Sequence, residues 1–393
     1  MKLTELQSHI TTWNINGQRV LVRAELNVPL EGKKIVSDYR LQQLQPTLDT
    51  IIRRGGKIIL MTHIGRPEQY DANLSTKILI PWFEKQGYKI AFIKDLAQAY
   101  DESFEQMDHI LLLDNLRFYP GEKDHDTEFV QSLAQLGDFY VNDAFGSMHR
   151  DDSSIALVPY EFKKSHRTIG LLVEKELKHL NALLQHPQKP FVTILGGGKL
   201  ADKIPLIDSL LDRIQILLLG PAIATTFLYA QGKPVGKSLI DTSLTDVCLK
   251  LLDKAQKKGV TVLLPEDFLI ALNSLEGTLK TVSANDIPLN GIAISIGART
   301  ITTWSKLLHS AGTVFQNGLM GFAQRPETTQ GMVTLLQAMA HSKAYSLVGG
   351  GDSVAVAIEH NLEHRLSALS TGGGATLAYL AGQELPGLKP FSN

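Results

Sequence analysis

The chain has 393 residues, with 39 Lys plus Arg against 40 Asp plus Glu, 44% hydrophobic residues and a single Cys. At about 100 to 200 residues per domain this length predicts two domains, each with a core of its own, and the ordinary apolar content argues against general disorder. Residues 1–168 carry a net charge of −3 and the remainder +2, so neither half is a basic nucleic-acid domain.

At the amino end, Met1 to Leu6 has no apolar core of signal-peptide length. The longest greasy stretch, Ile214 to Ala230, is interrupted by Gly220-Pro221. The expectation is a cytoplasmic protein with no membrane span. Cys248 has no disulfide partner and no zinc-cluster spacing. That favours a reducing compartment and a buried, apolar role for the thiol.

Short apolar runs recur along the chain, separated by segments long enough for helices, which is the rhythm of an α/β protein with parallel sheets. In chain order the predicted strands of the first half are Val20 to Val22, Lys57 to Met61, His109 to Leu113 and Phe139 to Val141. Leu171 to Leu180 reads as a helix joining the halves, ended by His186-Pro187. The second half gives Phe191 to Leu195, Ile214 to Leu219, Val260 to Leu264, Ile292 to Ile296, Thr313 to Phe315, Tyr345 to Val348 and Leu366 to Leu369.

Open parallel sheets bind ligands outside the carboxyl ends of their strands. In the first half those ends are cationic: Arg23, then His63 and Arg66, then Arg117, then His149-Arg150, with Arg40 in the Asp38-Tyr39-Arg40 segment. Five converging guanidinium groups would hold a small, multiply charged anion, because the Arg fork matches carboxylate and phosphate oxygens. Any one of them can instead be a solvated residue or pair with an acid such as Asp38 or Asp143. In the second half the ends are glycine-rich: Gly196-Gly197-Gly198-Lys199, Gly349-Gly350-Gly351-Asp352 and Gly372-Gly373-Gly374. Such loops let backbone N–H groups approach phosphate, although a single triple glycine equally suits a tight turn. Neither the P-loop nor the dinucleotide fingerprint is present. Lys199 and Lys203 add positive charge, and Asp352 supplies a carboxylate suited to Mg²⁺.

Taken in order, these strings resemble the phosphoglycerate kinase family over essentially the whole chain. Arg23 to Pro29 is similar to its R-x-D-x-N-V-P, Thr62 to Pro67 to S-H-L-G-R-P, Asp114 to Phe118 to E-N-x-R-F, and Asn142 to Arg150 to N-D-A-F-G-x-x-H-R. Gly196 to Ile204 resembles G-G-A-K-V-x-D-K-I, Gly349 to Ser353 G-G-G-D-T, and Ser370 to Ala375 S-T-G-G-G-A. The resemblance implies an α/β fold of two Rossmann-like lobes, each a mostly parallel sheet flanked by helices, joined by a hinge helix. The implied division is 1–168 for 3-phosphoglycerate, 169–185 for the connecting helix, 186–376 for nucleotide, and 377–393 returning to the first lobe.

Carried over position by position, the glycerate site comprises Asn27, Arg40, His63, Arg66, Arg117 and Arg150, with Glu25 where the family has Asp. Lys199, Lys203, Asn317, Gln324, Gly349, Gly350, Gly351, Asp352 and Ser353 serve the nucleotide, with Asp352 on the metal. The implied reaction moves a phosphoryl group between MgATP and the carboxylate of 3-phosphoglycerate, giving 1,3-bisphosphoglycerate and ADP, and runs towards ATP in glycolysis. Arg40 and Lys203 are the candidates for contacting the transferring group. No nucleic acid or membrane partner is expected, and the expected assembly is a monomer.

The departures fall on the nucleoside side. Gly220-Pro221-Ala222 replaces a G-G-G, Gln316 to Gln324 replaces W-N-G-P-x-G-x-F-E, Ser295 replaces an Asp, and Thr376 to Ala378 replaces S-L-E. The alternative reading is therefore a nucleotide-weakened relative acting as a binding or interaction protein. Retained Lys199, Lys203 and Asp352 favour the enzyme, since unpaired buried-site charges cost stability. A nicotinamide dehydrogenase is disfavoured by the missing dinucleotide fingerprint.

Overall fold

The computed structural model describes residues 6–105 and 110–392. His109, expected to start a strand, and Met1 to Glu5 lie outside the described residues. Contacts divide the chain into one unit of Met1–Lys178 with Glu384–Asn393 and a second of His179–Gln383.

The first unit is built on strands β1 (Arg19–Ala24), β4 (Lys57–Met61), β5 (Ile90–Ile93), β6 (Ile110–Leu113), β7 (Phe139–Asp143) and β8 (Arg167–Ile169). A small antiparallel hairpin, β2 (Leu30–Glu31) with β3 (Lys34–Ile35), stands apart. The sheet order is β5-β6-β4-β1-β7-β8 and every pair is parallel. Val20, Val22 and Ala24 of β1 pack with the helices Tyr39–Arg53 and Ile80–Lys85. Leu21 faces the other side, with residues of the helices Leu96–Phe104 and Thr127–Ala134. Burial on both faces is why these strands read as unbroken apolar runs rather than as alternation.

The second unit carries β9 (Phe191–Leu195), β10 (Ile216–Leu219), β11 (Thr261–Leu263), β15 (Thr313–Asn317), β16 (Tyr345–Gly349) and β17 (Ala368–Ser370). Their order, β11-β10-β9-β15-β16-β17, is 3-2-1-4-5-6 within the sheet, again all parallel. The strand order reverses between β9 and β15, and the crevice at such a switch point is where ligands bind in doubly wound sheets.

Two expectations are corrected. The run ending at Ile296 is not part of the parallel sheet. It forms β14 (Gly291–Ile296) of a separate antiparallel sheet with β12 (Asp267–Leu272) and β13 (Leu279–Ser283), in the order β13-β12-β14. The links between these three strands are too short for a helical crossover, so only antiparallel pairing is open to them. Arg23, expected just beyond a strand, lies inside β1, on the same side as Leu21, and is fully buried.

The joining helix spans Leu171–Gln185, stopping just before His186-Pro187. Its start is fixed within the first unit: Asp143 Oδ1 accepts from Val173 N at 3.1 Å, and Thr47 Oγ1 accepts from Leu171 N at 3.0 Å. Helix Gly374–Leu380 packs on helix Ile204–Leu210, where Ser209 Oγ donates to Leu380 O at 3.1 Å. Both lie in the second unit, so residues 377–383 of the expected returning segment stay there. Beyond them Gly387 N donates to Met148 O at 3.0 Å, and Phe391 stacks on Tyr140.

Candidate functional site

At the first unit's switch point β1 and β7 end side by side, and the segments after β4, β6 and β7 carry the cationic groups. Arg66, Arg117, Lys123, His149, Arg150 and Asp151 line a recess of about 520 Å³ with Pro67. The side chains of Arg66 and Arg150 have no hydrogen-bond or ion-pair partner among the described residues, and Arg66 is exposed. Arg117 differs. Its Nη1 donates to Gly65 O at 2.6 Å and its Nη2 lies 3.4 Å from Asp152 Oδ2, while Nε is buried without a partner. Lys123 meets the other oxygen of Asp152. Burial works against that carboxylate, yet Lys123, Arg23 and Arg117 hold its pKa below the ordinary range.

Glu25, Asn27 and Arg40 form a second cluster. Arg40 Nη1 donates to Asn27 O at 2.6 Å and lies 3.3 Å from Glu25 Oε1. Ser147 donates to the other Glu25 oxygen. Asn27 Oδ1 accepts from Gly65 N at 3.0 Å, which ties the loop carrying Arg66 to the segment after β1. His63 is 1% exposed. Burial first, then the neighbouring guanidinium groups of Arg23, Arg117, Arg150 and Arg40, hold its imidazole well below the ordinary pKa. It is therefore neutral near pH 7. The structure thus brings the expected residues into one region and distinguishes their surroundings: the side chains of Arg66 and Arg150 are unpaired, whereas Arg117 and Arg40 are partly engaged by the protein itself.

Sequence reasoning missed Lys123, Asp152 and Ser147, which complete the cluster. The proximity of Lys123 to Arg117 was a usable signal. Asp152 and Ser147 carried none, because nothing local marks them as facing a guanidinium group or a carboxylate.

In the second unit the glycine loops pack against one another. Gly196 N donates to Asn317 O at 2.8 Å, and Gly197 N to Leu319 O at 2.7 Å. A Cβ on Gly318 would come 2.3 Å from Gly196 O, and Gly318 has φ +91, so only glycine fits. Asn317 Nδ2 lies 3.2 Å from the Cβ position of Gly349, placing its amide beside the third loop. The helix Gly351–Glu359 starts there. Its first amide bond is Val354 N to Gly350 O at 2.9 Å, so the N–H groups of Gly351, Asp352 and Ser353 precede the ladder and have no intrahelical acceptor. Three free amides at a helix start form an anion seat.

Lys203 is 7% exposed, has no ion-pair partner among the described residues, and its Nζ sits 3.6 Å from the Cβ position of Gly197. Burial and then Lys199 lower its pKa, against the pull of Asp202. A buried ammonium without a carboxylate partner is costly unless a ligand supplies the anion. Lys199 and Asp352 are exposed beside the same loops. Ser353 is fully buried, with its Oγ accepting from Gln316 Nε2 at 3.4 Å. Gln324 is exposed on the turn between the bridged Phe322 and Arg325, with no bond to the glycine loops among the described residues.

Two of the departures from the family pattern differ in how their surroundings receive them. Pro221 opens the helix Pro221–Ala230, where a missing N–H costs nothing. Ser295 lies on β14 with its hydroxyl buried and unpartnered.

Comparison with known proteins matches residues 10–383 to the phosphoglycerate kinase family. The chain is 38% identical over 390 residues to a phosphoglycerate kinase of Herpetosiphon aurantiacus, covering 96% of this chain and 97% of that protein. It is 36% identical over 387 residues to one of Chlorobium chlorochromatii, at 96% and 97% coverage. Among solved structures, the phosphoglycerate kinase of Coxiella burnetii superposes with TM-score 0.81 at 33% identity, covering 96% of this chain and 97% of that one. That of Pyrococcus horikoshii gives 0.85 at 26% identity, with 97% of each chain covered.

Proposed function

The chain belongs to the phosphoglycerate kinase family, and from that premise we propose how its residues divide the work of a phosphotransferase. The substrates are 3-phosphoglycerate or 1,3-bisphosphoglycerate on the first unit and ATP or ADP on the second. Arg66 and Arg150, whose guanidinium groups are uncommitted, take the charge of the three-carbon anion. His63 donates to it as a neutral imidazole, and Arg40, held by Glu25 and Asn27, reaches towards the transferring group. Arg117 shapes the pocket with Asp152.

On the nucleotide side, Lys199, Asn317 and the loop Gly349-Gly350-Gly351 receive the phosphates, with the amides of Asp352 and Ser353. Asp352, exposed beside that loop, is our candidate to meet a metal there. No cluster of three acidic, His or Cys ligands exists among the described residues. A single carboxylate beside a phosphate loop suits Mg²⁺, which takes one or two carboxylates and completes its shell with phosphate oxygens and water. When bound, it neutralises charge on the bridging phosphates. Gln324 takes the place of the ribose contact.

The chemistry needs no general base. The nucleophile is a carboxylate, already ionised at neutral pH, so catalysis consists of positioning and charge stabilisation. Lys203 carries this reading: a buried, unpaired ammonium beside a phosphate loop has a use only when phosphate arrives. The lone Cys248 supports a reducing cytoplasmic setting, and we read the enzyme as a monomer. No helix among the described residues is long and apolar enough to cross a membrane. The deciding experiment is a coupled assay for ADP formation from MgATP and 3-phosphoglycerate. Turnover that vanishes without 3-phosphoglycerate is expected, and none at saturating substrates would overturn the reading.

A further inference from the structure

Behind the anion pocket three fully buried side chains, Glu122, Ser154 and Arg23, lead to His63, and the reaction uses none of those three directly. Glu122, on the short helix Gly121–Asp124, is fully buried. Its Oε2 accepts from Ser154 N at 2.9 Å and its Oε1 from Ser154 Oγ at 2.7 Å. Ser154 Oγ accepts in turn from Arg23 Nε at 2.8 Å, and Arg23 Nη2 stands 4.0 Å from Glu122 Oε1. Arg23 Nη1 is spent on Ala24 O at 2.5 Å, and Nη2 lies 2.9 Å from His63 Nδ1. The direction of each bond is forced. A guanidinium group has only donors, so His63 Nδ1 must present its lone pair, and the ring proton resides on Nε2.

We propose that Glu122 and Ser154 are positioning residues for the anion pocket, acting through Arg23 to lock His63 as a neutral imidazole whose Nε2–H donates to a substrate oxygen. Without Glu122 the buried Arg23 guanidinium group loses its nearest carboxylate. Without Ser154 the guanidinium group loses the acceptor that sets its rotation. In either case Nη2 is no longer held against Nδ1, and the other tautomer, which offers a lone pair to an anion, becomes accessible. The first three members of the network concern the free protein. Only the last step rests on the substrate assignment made above.

The test is nitrogen-15 NMR of the His63 ring in the free protein, alongside kinetics of Glu122→Gln and Ser154→Ala. Wild type should show a protonated Nε2 and a bare Nδ1 at pH 7. Ser154→Ala, which removes no charge, serves where Glu122→Gln does not fold. It should show mixed tautomers and a KM for 3-phosphoglycerate raised by about tenfold, the scale of one charge-assisted hydrogen bond, with the KM for MgATP unchanged. A protonated Nδ1 in wild type overturns the proposal, as does an unaltered His63 spectrum in the variants. Mixed tautomers with unchanged 3-phosphoglycerate KM would overturn His63 as the substrate contact while leaving the internal network standing.

Discussion

Arg117 and Asp152 form a buried ion pair, Nη2 to Oδ2 at 3.4 Å, in the recess that also holds the unpaired side chains of Arg66 and Arg150. The pocket is therefore not a uniform field of positive charge. One of its guanidinium groups is balanced by the protein, and the substrate's charge is proposed to fall on Arg66 and Arg150.

Arg66→Ala and Arg150→Ala should accordingly weaken 3-phosphoglycerate binding by about ten- to a hundredfold, equivalent to about 1.5 to 3 kcal/mol, and leave nucleotide binding nearly intact. Arg117→Ala should instead lower stability by about 1 to 3 kcal/mol, because Gly65 O and Asp152 lose a donor. Calorimetric titration and thermal unfolding of the three variants separate these outcomes. Equal 3-phosphoglycerate affinities in wild type, Arg66→Ala and Arg150→Ala would remove the pocket assignment.

Lys203→Ala should depress kcat far more than it weakens ATP binding, because its charge is proposed to act on the migrating phosphoryl group. Initial rates at saturating MgATP, with a separate binding titration, check this. A variant that loses affinity and turnover in the same proportion would make Lys203 a binding group only.

The nucleoside side should be permissive. Gln324 cannot accept with charge assistance as a carboxylate would, and Pro221 and Ala222 bring side chains where the family has glycines. Affinity for MgADP should be modest and close to that for MgGDP, with inorganic tripolyphosphate retaining much of the binding. Strong selectivity for the adenine nucleotide in a calorimetric series would show that the neighbouring residues have compensated.

Asp143 predicts an unusual pH response. Fully buried, it is pushed up to about 6 by desolvation, against the pull of Thr47 and the amides of Val173 and Leu172. A carboxyl raised in the folded state binds its proton more tightly there than when unfolded. Its contribution to stability is full at low pH and is lost as pH rises through the window from the ordinary value to about 6. Two pKa units correspond to about 3 kcal/mol. Asp143→Asn should thus gain most over wild type at pH 7, and the gain should shrink towards pH 4. Denaturant unfolding at several pH values measures it; a difference that stays constant with pH would refute it.

With the two substrates on separate units, in-line transfer requires the reacting atoms to come within about 3 to 3.5 Å. Small-angle scattering should give a smaller radius of gyration with both substrates bound than with neither. An unchanged value would argue against closure around the helix Leu171–Gln185.

The parallel sheets were legible because strands buried on both faces are continuous apolar runs, as in Lys57–Met61 and Phe191–Leu195. Ile90–Ile93 and Arg167–Ile169 escaped notice, being short edge strands whose pattern barely rises above that of a loop. The antiparallel sheet around Asp267–Leu272 was hidden for a different reason. A run of apolar residues states burial but not the direction of its neighbours. Within the site, Arg66 and Lys203 were found through their motifs. Arg23 was found but misplaced, because a charge in a strand reads as a strand end unless Glu122 and Ser154, distant in sequence, are known to meet it.

Residues 384–392 close the first unit although they are translated after the whole of the second. A Cβ on Gly387 would stand 2.7 Å from Ile155 Cγ2 and 2.9 Å from Met148 Cα, so the late segment is seated without spare room. During synthesis, residues 179–383 can form a finished body as soon as they leave the ribosome, since every part of it is contiguous. The amino-terminal body emerges first yet waits longest, with the surface over Met148 and Ile155 open until the ribosome has added the residues beyond Gln383. Vectorial folding from the amino end, the usual order for chains of several domains, therefore cannot complete the first unit until residues 384–392 have been made.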